Sequence, residues 1–181
     1  MKKIVQEGAT VLQQKAKPVA KKDFGSAKLR KLLKDMSDAL SKEPHGVALA
    51  APQIGASLRV FIASGKVLMR EAKNEGPNEG VETQEQEKDI IFINPEIVRA
   101  SRKKVRLHEG CLSVRDKEGK SVFGFVERSE RATVKAYDAQ GKSFTYHGSG
   151  LMAQIFQHEI DHLDGTLFIN KAEDLETEGS K

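Results

Sequence analysis

The sequence contains two histidines four residues apart, with a glutamate directly after the first: His158, Glu159 and His162. The surrounding pattern predicts a helix, on which residues at i and i+4 project from the same face. The two imidazoles can therefore hold one metal ion between them, and the glutamate can take a proton from a water molecule at that ion. A catalytic site of this kind usually has a third protein ligand. The identity of that ligand decides what kind of enzyme the chain is.

The composition is ordinary for a soluble globular domain. The 181 residues suffice for one domain with a hydrophobic core, and 31% of them are charged. No window approaches the roughly 18 apolar residues that a membrane span needs. The N-terminus begins with two lysines but lacks the apolar segment of a secretory signal. We therefore expect a cytoplasmic protein that does not associate with membranes.

The net charge of +4 is unevenly distributed along the sequence. Residues 71–89 hold seven acidic residues against two lysines, and residues 171–181 hold four against two. Outside these two segments the charge is +11. The positive charge of the rest of the chain is compatible with transient association with a nucleic-acid-rich partner such as the ribosome. Solvated lysines on the surface explain this charge more simply. We expect no specific recognition of nucleic acid.

Apolar periodicity predicts a single α+β domain over residues 1–170. Residues 1–23 suggest an extended arm laid on the core. Helices are predicted over residues 26–42 and from about Ser149, as N-cap, to Leu163, with Gly165 placed to end the second helix. The predicted strands are 59–63, 90–95, 97–100, 104–108, 132–137, 143–146 and 167–169, with a hairpin turn at 138–141.

Two acidic segments are predicted to lie outside the ordered core. Residues 71–89 combine many acids with glycine and proline and have few apolar residues, which indicates a flexible insertion. Residues 171–181 form an acidic tail that we expect to be disordered.

Cys111 is the only cysteine, so an intrachain disulfide is excluded. In a reducing compartment such a residue is a buried small hydrophobe, a metal ligand or a nucleophile. Gly110 beside it allows a close approach of the backbone. Gln53 follows a run of small residues and offers an amide donor for a developing oxyanion, or is simply exposed at a tight helix entry.

On the predicted second helix, Leu151 and Ile155 share the face of the two histidines. Gln154 is the one polar member of this strip. The strip is either plain core or the wall of a pocket for an apolar substrate group.

Together, three segments resemble the peptide deformylases. That family is marked by Gly-x-Gly-Leu-Ala-Ala-x-Gln, Glu-Gly-Cys-Leu-Ser and Gln-His-Glu-x-Asp-His segments, in that order. Here they stand at residues 46–53, 109–113 and 157–162. The flanking pattern is similar from about residue 4 to residue 170.

The resemblance implies mainly antiparallel sheets wrapped around a central metal-binding helix, with a second, N-terminal helix. It implies that Cys111, His158 and His162 bind one divalent ion, Fe²⁺ in the cell, which Zn²⁺, Ni²⁺ or Co²⁺ can replace in preparations. The implied reaction removes formate from the N-formyl-methionine of newly synthesised polypeptides. Nothing suggests an obligate dimer, so we expect a monomer.

The resemblance also implies the roles of individual residues. Glu159 is the general base and acid, while the Gln53 side chain and the Leu112 N–H hold the formyl oxygen. Asp161 is expected to be structural and to orient either a helix end or an arginine such as Arg102 or Arg128. The implied substrate-binding residues are Gly46, Val47, Ala48, Glu109, Gly110, Leu151 and Ile155.

Some positions depart from the family pattern. Ala48 replaces the second glycine of the first segment, so its methyl group could narrow the cleft. Arg115 stands where a proline is common, and residues 116–120 form a charged loop. The chain ends soon after Ile169, without the long C-terminal helix of some bacterial members. The alternatives are therefore a catalytically weak, ribosome-associated binding module and, less well supported by the cysteine, a zinc endopeptidase.

Overall fold

The computed structural model describes residues 2–65 and 88–179. Within these ranges the chain forms two α-helices and eight strands, which confirms the α+β prediction. The helices are α1 (Ala27–Leu40) and α2 (Gly150–Leu163). The strands are β1 (Ala48–Ala50), β2 (Val60–Ala63), β3 (Ile90–Ala100), β4 (Lys104–Arg115), β5 (Ser121–Ser129), β6 (Arg131–Tyr137), β7 (Ser143–Ser149) and β8 (Glu173–Thr177). Apart from its last two residues, the predicted insertion at 71–89 lies outside the described residues.

The strands form two antiparallel sheets. One has the order β1-β2-β3-β6-β7 and the other the order β4-β5-β8. Short 3₁₀ helices cover Thr10–Leu12, Lys21–Asp23, Ala51–Ile54 and Phe168–Asn170. None of the helices in the described ranges has the length and apolar character required to cross a bilayer.

Helix α2 lies at the centre of the molecule. Its buried residues Phe156, Ile160 and Leu163 pack with Phe61 and other side chains of the five-stranded sheet. The helix begins directly after Ser149, as predicted, although the serine hydroxyl makes no capping hydrogen bond. It ends before Gly165, whose φ of 78° requires a residue without a Cβ. Both ends of the predicted helix are thus confirmed.

Helix α1 is also confirmed. The Ser26 hydroxyl accepts a hydrogen bond from the Leu29 N–H at 3.1 Å and so caps the first turn. Leu33, Met36 and Leu40 lie on its buried face and pack against the segment that contains β1 and β2. Because β1 leads directly into the 3₁₀ helix that carries Gln53, this packing fixes one wall of the site.

Several predicted elements differ from the structure. Residues 90–100 form one strand rather than two, since Asn94, at φ 50°, introduces an irregularity that shifts the register without ending the strand. Strand β4 extends beyond residue 108 to Arg115 and includes Cys111. Residues 167–169 do not form a strand. A 3₁₀ helix begins at Phe168, and the Leu167 N–H donates to the Asn170 side chain at 3.0 Å.

The prediction of a disordered C-terminal tail is wrong for Glu173–Thr177, which form β8 and pair with β5. The acidic side chains of this strand meet basic side chains of β4: Asp174 pairs with Arg106, and Glu176 lies 2.8 Å from His108. The segment is ordered through backbone pairing with β5, and two of its acidic side chains reach across β5 to side chains of β4.

Candidate metal centre

Three candidate metal ligands lie close together between β4 and α2. Cys111 comes from β4, and His158 and His162 come from successive turns of α2. One ligand atom of each lies within 4.8 Å of the others, and Cys111 Sγ is 3.2 Å from His162 Nε2. The fold thus assembles the sulfur and two nitrogens that the sequence predicts as ligands.

The surroundings of these three atoms fit a divalent cation. A thiolate and two imidazoles are the donors that soft or borderline ions such as Fe²⁺ and Zn²⁺ prefer. Glu159 is 4% exposed, and its Oε2 is a buried oxygen without a hydrogen-bond partner among the described residues. A buried carboxylate oxygen left unpaired is costly, so this one calls for a water molecule or a cation beside it.

Glu109 orients one of the candidate ligands. Its Oε2 lies 2.9 Å from His158 Nδ1. Burial alone would raise the pKa of this carboxyl group, but hydrogen bonds from Arg128 and His158 lower it to about 2. Glu109 is therefore ionised and accepts a hydrogen bond from Nδ1–H, so a neutral imidazole at this position carries its lone pair on Nε2. The sequence assigned Glu109 to substrate binding and did not predict this contact.

Arg128 links Glu109 to helix α2. Its Nε and Nη2 donate to the two oxygens of Glu109 at 2.8 and 2.9 Å, and its Nη1 donates to Asp161 at 2.6 Å. Lys171 donates to the other oxygen of Asp161 at 2.6 Å. The expectation that Asp161 pairs with an arginine is confirmed, and of the two candidates the partner is Arg128.

The two histidines have different electrostatic environments. Burial would lower the pKa of His158, but hydrogen bonds with Cys111 and Glu109 raise it well above its usual value. Burial lowers the pKa of His162 well below its usual value, and the charges of His158 and Arg128 act in the same direction. The two imidazoles therefore differ in their affinity for protons although they belong to one candidate ligand set.

Glu159 occupies an environment that suits proton transfer. Burial raises its pKa to about 7, and the charge of His158 opposes part of that rise. A general base or acid works best when its pKa is close to the working pH. The side chain follows His158 on α2 and lines the same cleft.

Gln53 is held in place at both ends of its amide group. Its Oε1 accepts from the Ala50 N–H at 2.8 Å, and its Nε2 lies 3.2 Å from Ser113 Oγ and 3.5 Å from Cys111 Sγ. At 2% exposed it is buried, so the alternative of an exposed glutamine is wrong. The sequence did not predict a role for Ser113, although the residue belongs to the same segment as Cys111.

A cleft of about 690 Å³ opens beside these groups. It is lined by all seven residues that were predicted to bind substrate and by Leu112, Gln53 and Glu159. Ala48 lines the cleft, but at 6% exposed most of its surface packs into the core around α2. Gln154 donates to the His108 carbonyl at 3.1 Å.

Several cleft residues were not predicted from the sequence. His108, Phe123, Ser121 and Glu178 also line it, together with Arg115 at the start of the charged loop. Phe123 is on β5 and Glu178 follows β8, so their contribution depends on pairings between distant segments. No local sequence signal marks them.

Comparison with known proteins agrees with this geometry. A family model described as polypeptide deformylase matches residues 1–178. The chain belongs to the peptide deformylase family. The reaction of this family removes the formyl group from the N-formyl-methionine of new polypeptides, so the chain is a metal-dependent hydrolase.

Relatives of this deformylase cover nearly the whole chain. A peptide deformylase of Thermomicrobium roseum is 39% identical over 96% of this chain and 87% of its own length. Among solved structures, an actinonin-bound class I type b peptide deformylase from Acinetobacter baumannii is 31% identical, with a TM-score of 0.76 over 96% of this chain and 99% of its own. A Met-Ala-Ser-bound structure from the same organism is 32% identical, with a TM-score of 0.74 over 93% and 96%.

Proposed function

We propose that Cys111, His158 and His162 bind a single ion, Fe²⁺ in the cell, and that the adjoining cleft takes the formyl-methionine end of nascent peptides. One observation carries the proposal: the three ligand atoms lie within 4.8 Å of one another, beside the buried, unpaired Oε2 of Glu159. Zn²⁺, Ni²⁺ or Co²⁺ can replace iron in preparations, because the donor set does not exclude them.

Glu159 is proposed as the group that moves the proton. When bound, the ion would supply Lewis acidity that lowers the pKa of a water molecule from about 15.7 towards neutrality. Glu159 would take a proton from the attacking water as its oxygen bonds to the formyl carbon, and would return the proton to the amine nitrogen as the C–N bond breaks and formate leaves. With a pKa of about 7, the carboxyl group can do both near neutral pH.

Gln53 and Leu112 are proposed to stabilise the negative charge that develops on the formyl oxygen. The Gln53 amide is oriented before substrate binds, since its Oε1 is fixed by the Ala50 N–H. The second donor is the Leu112 N–H, which adjoins Cys111 on β4. Donors fixed in this way cost no reorganisation during the reaction.

The remaining cleft residues are proposed to bind the substrate. Leu151, Ile155 and Val47 form an apolar wall that suits a methionine side chain. The backbone of Gly46 and Ala48 on one side, and of Glu109 and Gly110 on the other, would bind the peptide backbone. The Met-Ala-Ser bound to the Acinetobacter baumannii relative supports a peptide of this kind as the substrate.

We infer a monomer in the cytoplasm that meets nascent chains through transient association with the ribosome. The charge of +11 outside the two acidic segments supports such an association.

The test of the metal assignment uses protein purified without oxygen and without added metal. Elemental analysis should give close to one iron per chain, and formate release from formyl-Met-Ala-Ser should follow the iron content. Protein stripped with a chelator and reloaded with Zn²⁺ serves as the comparison. A chain that carries no iron, or whose activity is independent of iron content, would refute the assignment of Fe²⁺.

A further inference from the structure

Residues 5–7 of the N-terminal arm connect the two segments that carry the proposed oxyanion donors. The Val5 N–H donates to the Gln53 carbonyl at 2.8 Å, and the Glu7 N–H donates to the Ser113 carbonyl at 2.8 Å. Between them, the Gln6 side-chain amide donates to the Leu112 carbonyl at 3.2 Å. Three consecutive residues thus bind both sides of the site.

The two donors belong to different sheets. Gln53 follows β1 of the five-stranded sheet, whereas Leu112 lies on β4 of the three-stranded sheet. Within the described residues no strand pairing joins β1 to β4. The distance between the donors therefore depends on contacts between the two segments, which include the hydrogen bonds of the arm and the 3.2 Å contact of Gln53 Nε2 with Ser113 Oγ.

The arm is itself fixed by apolar packing on both sides. Ile4 packs against the cluster that includes Ile54 and Leu112. Val5 packs against a second cluster, which includes the fully buried Leu12 and the partly buried Cys111. The arm therefore has a defined position from which its hydrogen bonds can hold the two segments.

We propose that residues 5–7 are a positioning segment that sets the spacing between the Gln53 amide and the Leu112 N–H, and thereby kcat. The segment acts through Gln53, Leu112 and Ser113. Oxyanion donors contribute to rate only when they lie where the charge develops, and a displacement of about 1 Å can cost roughly 10²-fold. The inference rests on the proposed function of Gln53 and Leu112.

The principal variant is Val5→Pro, which removes the N–H that donates to Gln53. It is expected to lower kcat for formyl-Met-Ala-Ser about 10- to 100-fold while KM and metal content stay unchanged. Lys3→Pro introduces the same ring two residues before the segment, and its kcat should equal that of the wild type. Equal kcat in the two proline variants would overturn the proposal.

A double-mutant cycle with Gln53→Ala distinguishes a positioning role of the arm from a merely structural one. If the arm acts through Gln53, Val5→Pro causes little further loss of kcat in the Gln53→Ala background. An equal fractional loss in both backgrounds would show that Val5 does not act through Gln53, and would overturn its positioning role. Gln6→Ala removes one exposed side-chain hydrogen bond and leaves the backbone intact. It should lower kcat about two- to tenfold, the range that a single hydrogen bond spans.

An NMR measurement tests the same inference independently of turnover. In Zn²⁺-loaded, ¹⁵N-labelled protein, the side-chain amide resonances of Gln53 should shift in Gln6→Ala and Val5→Pro but not in Lys3→Pro. A wild type that releases no formate refutes the proposed function, while the NMR comparison still decides whether the arm positions Gln53. Unshifted Gln53 resonances in both arm variants, or wild-type kcat in both, would overturn the positioning role.

Discussion

The Glu109 carboxylate lies 2.9 Å from His158 Nδ1 and receives two hydrogen bonds from Arg128, at 2.8 and 2.9 Å. One buried acid thus connects a candidate metal ligand on α2 to an arginine on β5. Since Arg128 also binds Asp161 on α2, the chain of contacts returns to the helix from which it started. This loop fixes the orientation of His158 before any ion binds.

Removing Arg128 should destabilise the protein strongly. Arg128→Met leaves the carboxylate of Glu109 buried at 3% exposure without its principal cationic partner. We expect a loss of about 3–5 kcal/mol in the free energy of unfolding, measured by urea denaturation. Lys103→Met breaks an exposed pair with Glu130 and should leave the free energy of unfolding nearly unchanged. Equal effects of the two variants would contradict the structural role of Arg128.

The lowered pKa of Glu109 predicts a dependence of stability on pH. The folded-state pKa is about 2, below the ordinary value of 4.5, so folding favours the ionised form. This contribution is fully present above pH 4.5 and is lost as the pH falls towards 2. Urea denaturation of chelator-treated protein should therefore show a loss of stability in that range. Glu109→Gln should lack this part of the loss, and an identical pH profile for the variant would contradict the prediction.

Loss of the Gln53 amide should reduce turnover more than binding. Gln53→Ala is expected to lower kcat about 10²- to 10³-fold, because the proposed oxyanion donor is removed. Gln154→Ala is the matched control, since Gln154 lines the same cleft but donates to the His108 carbonyl. Steady-state kinetics with formyl-Met-Ala-Ser should show less than about a tenfold effect for the control. A loss of kcat in Gln154→Ala as large as that in Gln53→Ala would contradict the assignment of Gln53 as the oxyanion donor.

Strand β8 should be measurable as ordered structure. Its backbone pairs with β5, so amide hydrogens of Glu173–Thr177 that take part in the pairing should exchange more slowly than those of an unstructured chain. Hydrogen exchange followed by mass spectrometry checks this directly. Exchange at the unprotected rate throughout the segment would restore the expectation of a disordered tail.

The sequence predicted the elements that local patterns determine. Helix α2 follows from its apolar periodicity and from Gly165, and its ligands follow from the spacing of His158 and His162. Strand β8 was missed because its acidic side chains have no strand periodicity, and its order depends on backbone pairing with β5, which is about 50 residues away in the sequence.

In the candidate site too, local patterns predicted some residues, whereas contacts between distant segments were not predictable from the sequence. Cys111 lies 47 residues before His158, and the family pattern was needed to bring the two together. Sequence spacing left Arg102 and Arg128 as equal candidates for Asp161, and only the fold selects Arg128. The contact between Glu109 and His158 was missed because β4 was predicted to end at His108.

The proposed chemistry depends on Glu159, which moves the proton at a site formed by Cys111, His158 and His162. Its most direct test compares formate release from formyl-Met-Ala-Ser by the wild type and by Glu159→Gln, each loaded with Fe²⁺ or Ni²⁺. We expect turnover by the wild type, and a loss of about 10²- to 10⁴-fold in the variant with one ion per chain retained. A wild type without formate release, or a metal-loaded Glu159→Gln with wild-type turnover, would contradict the account.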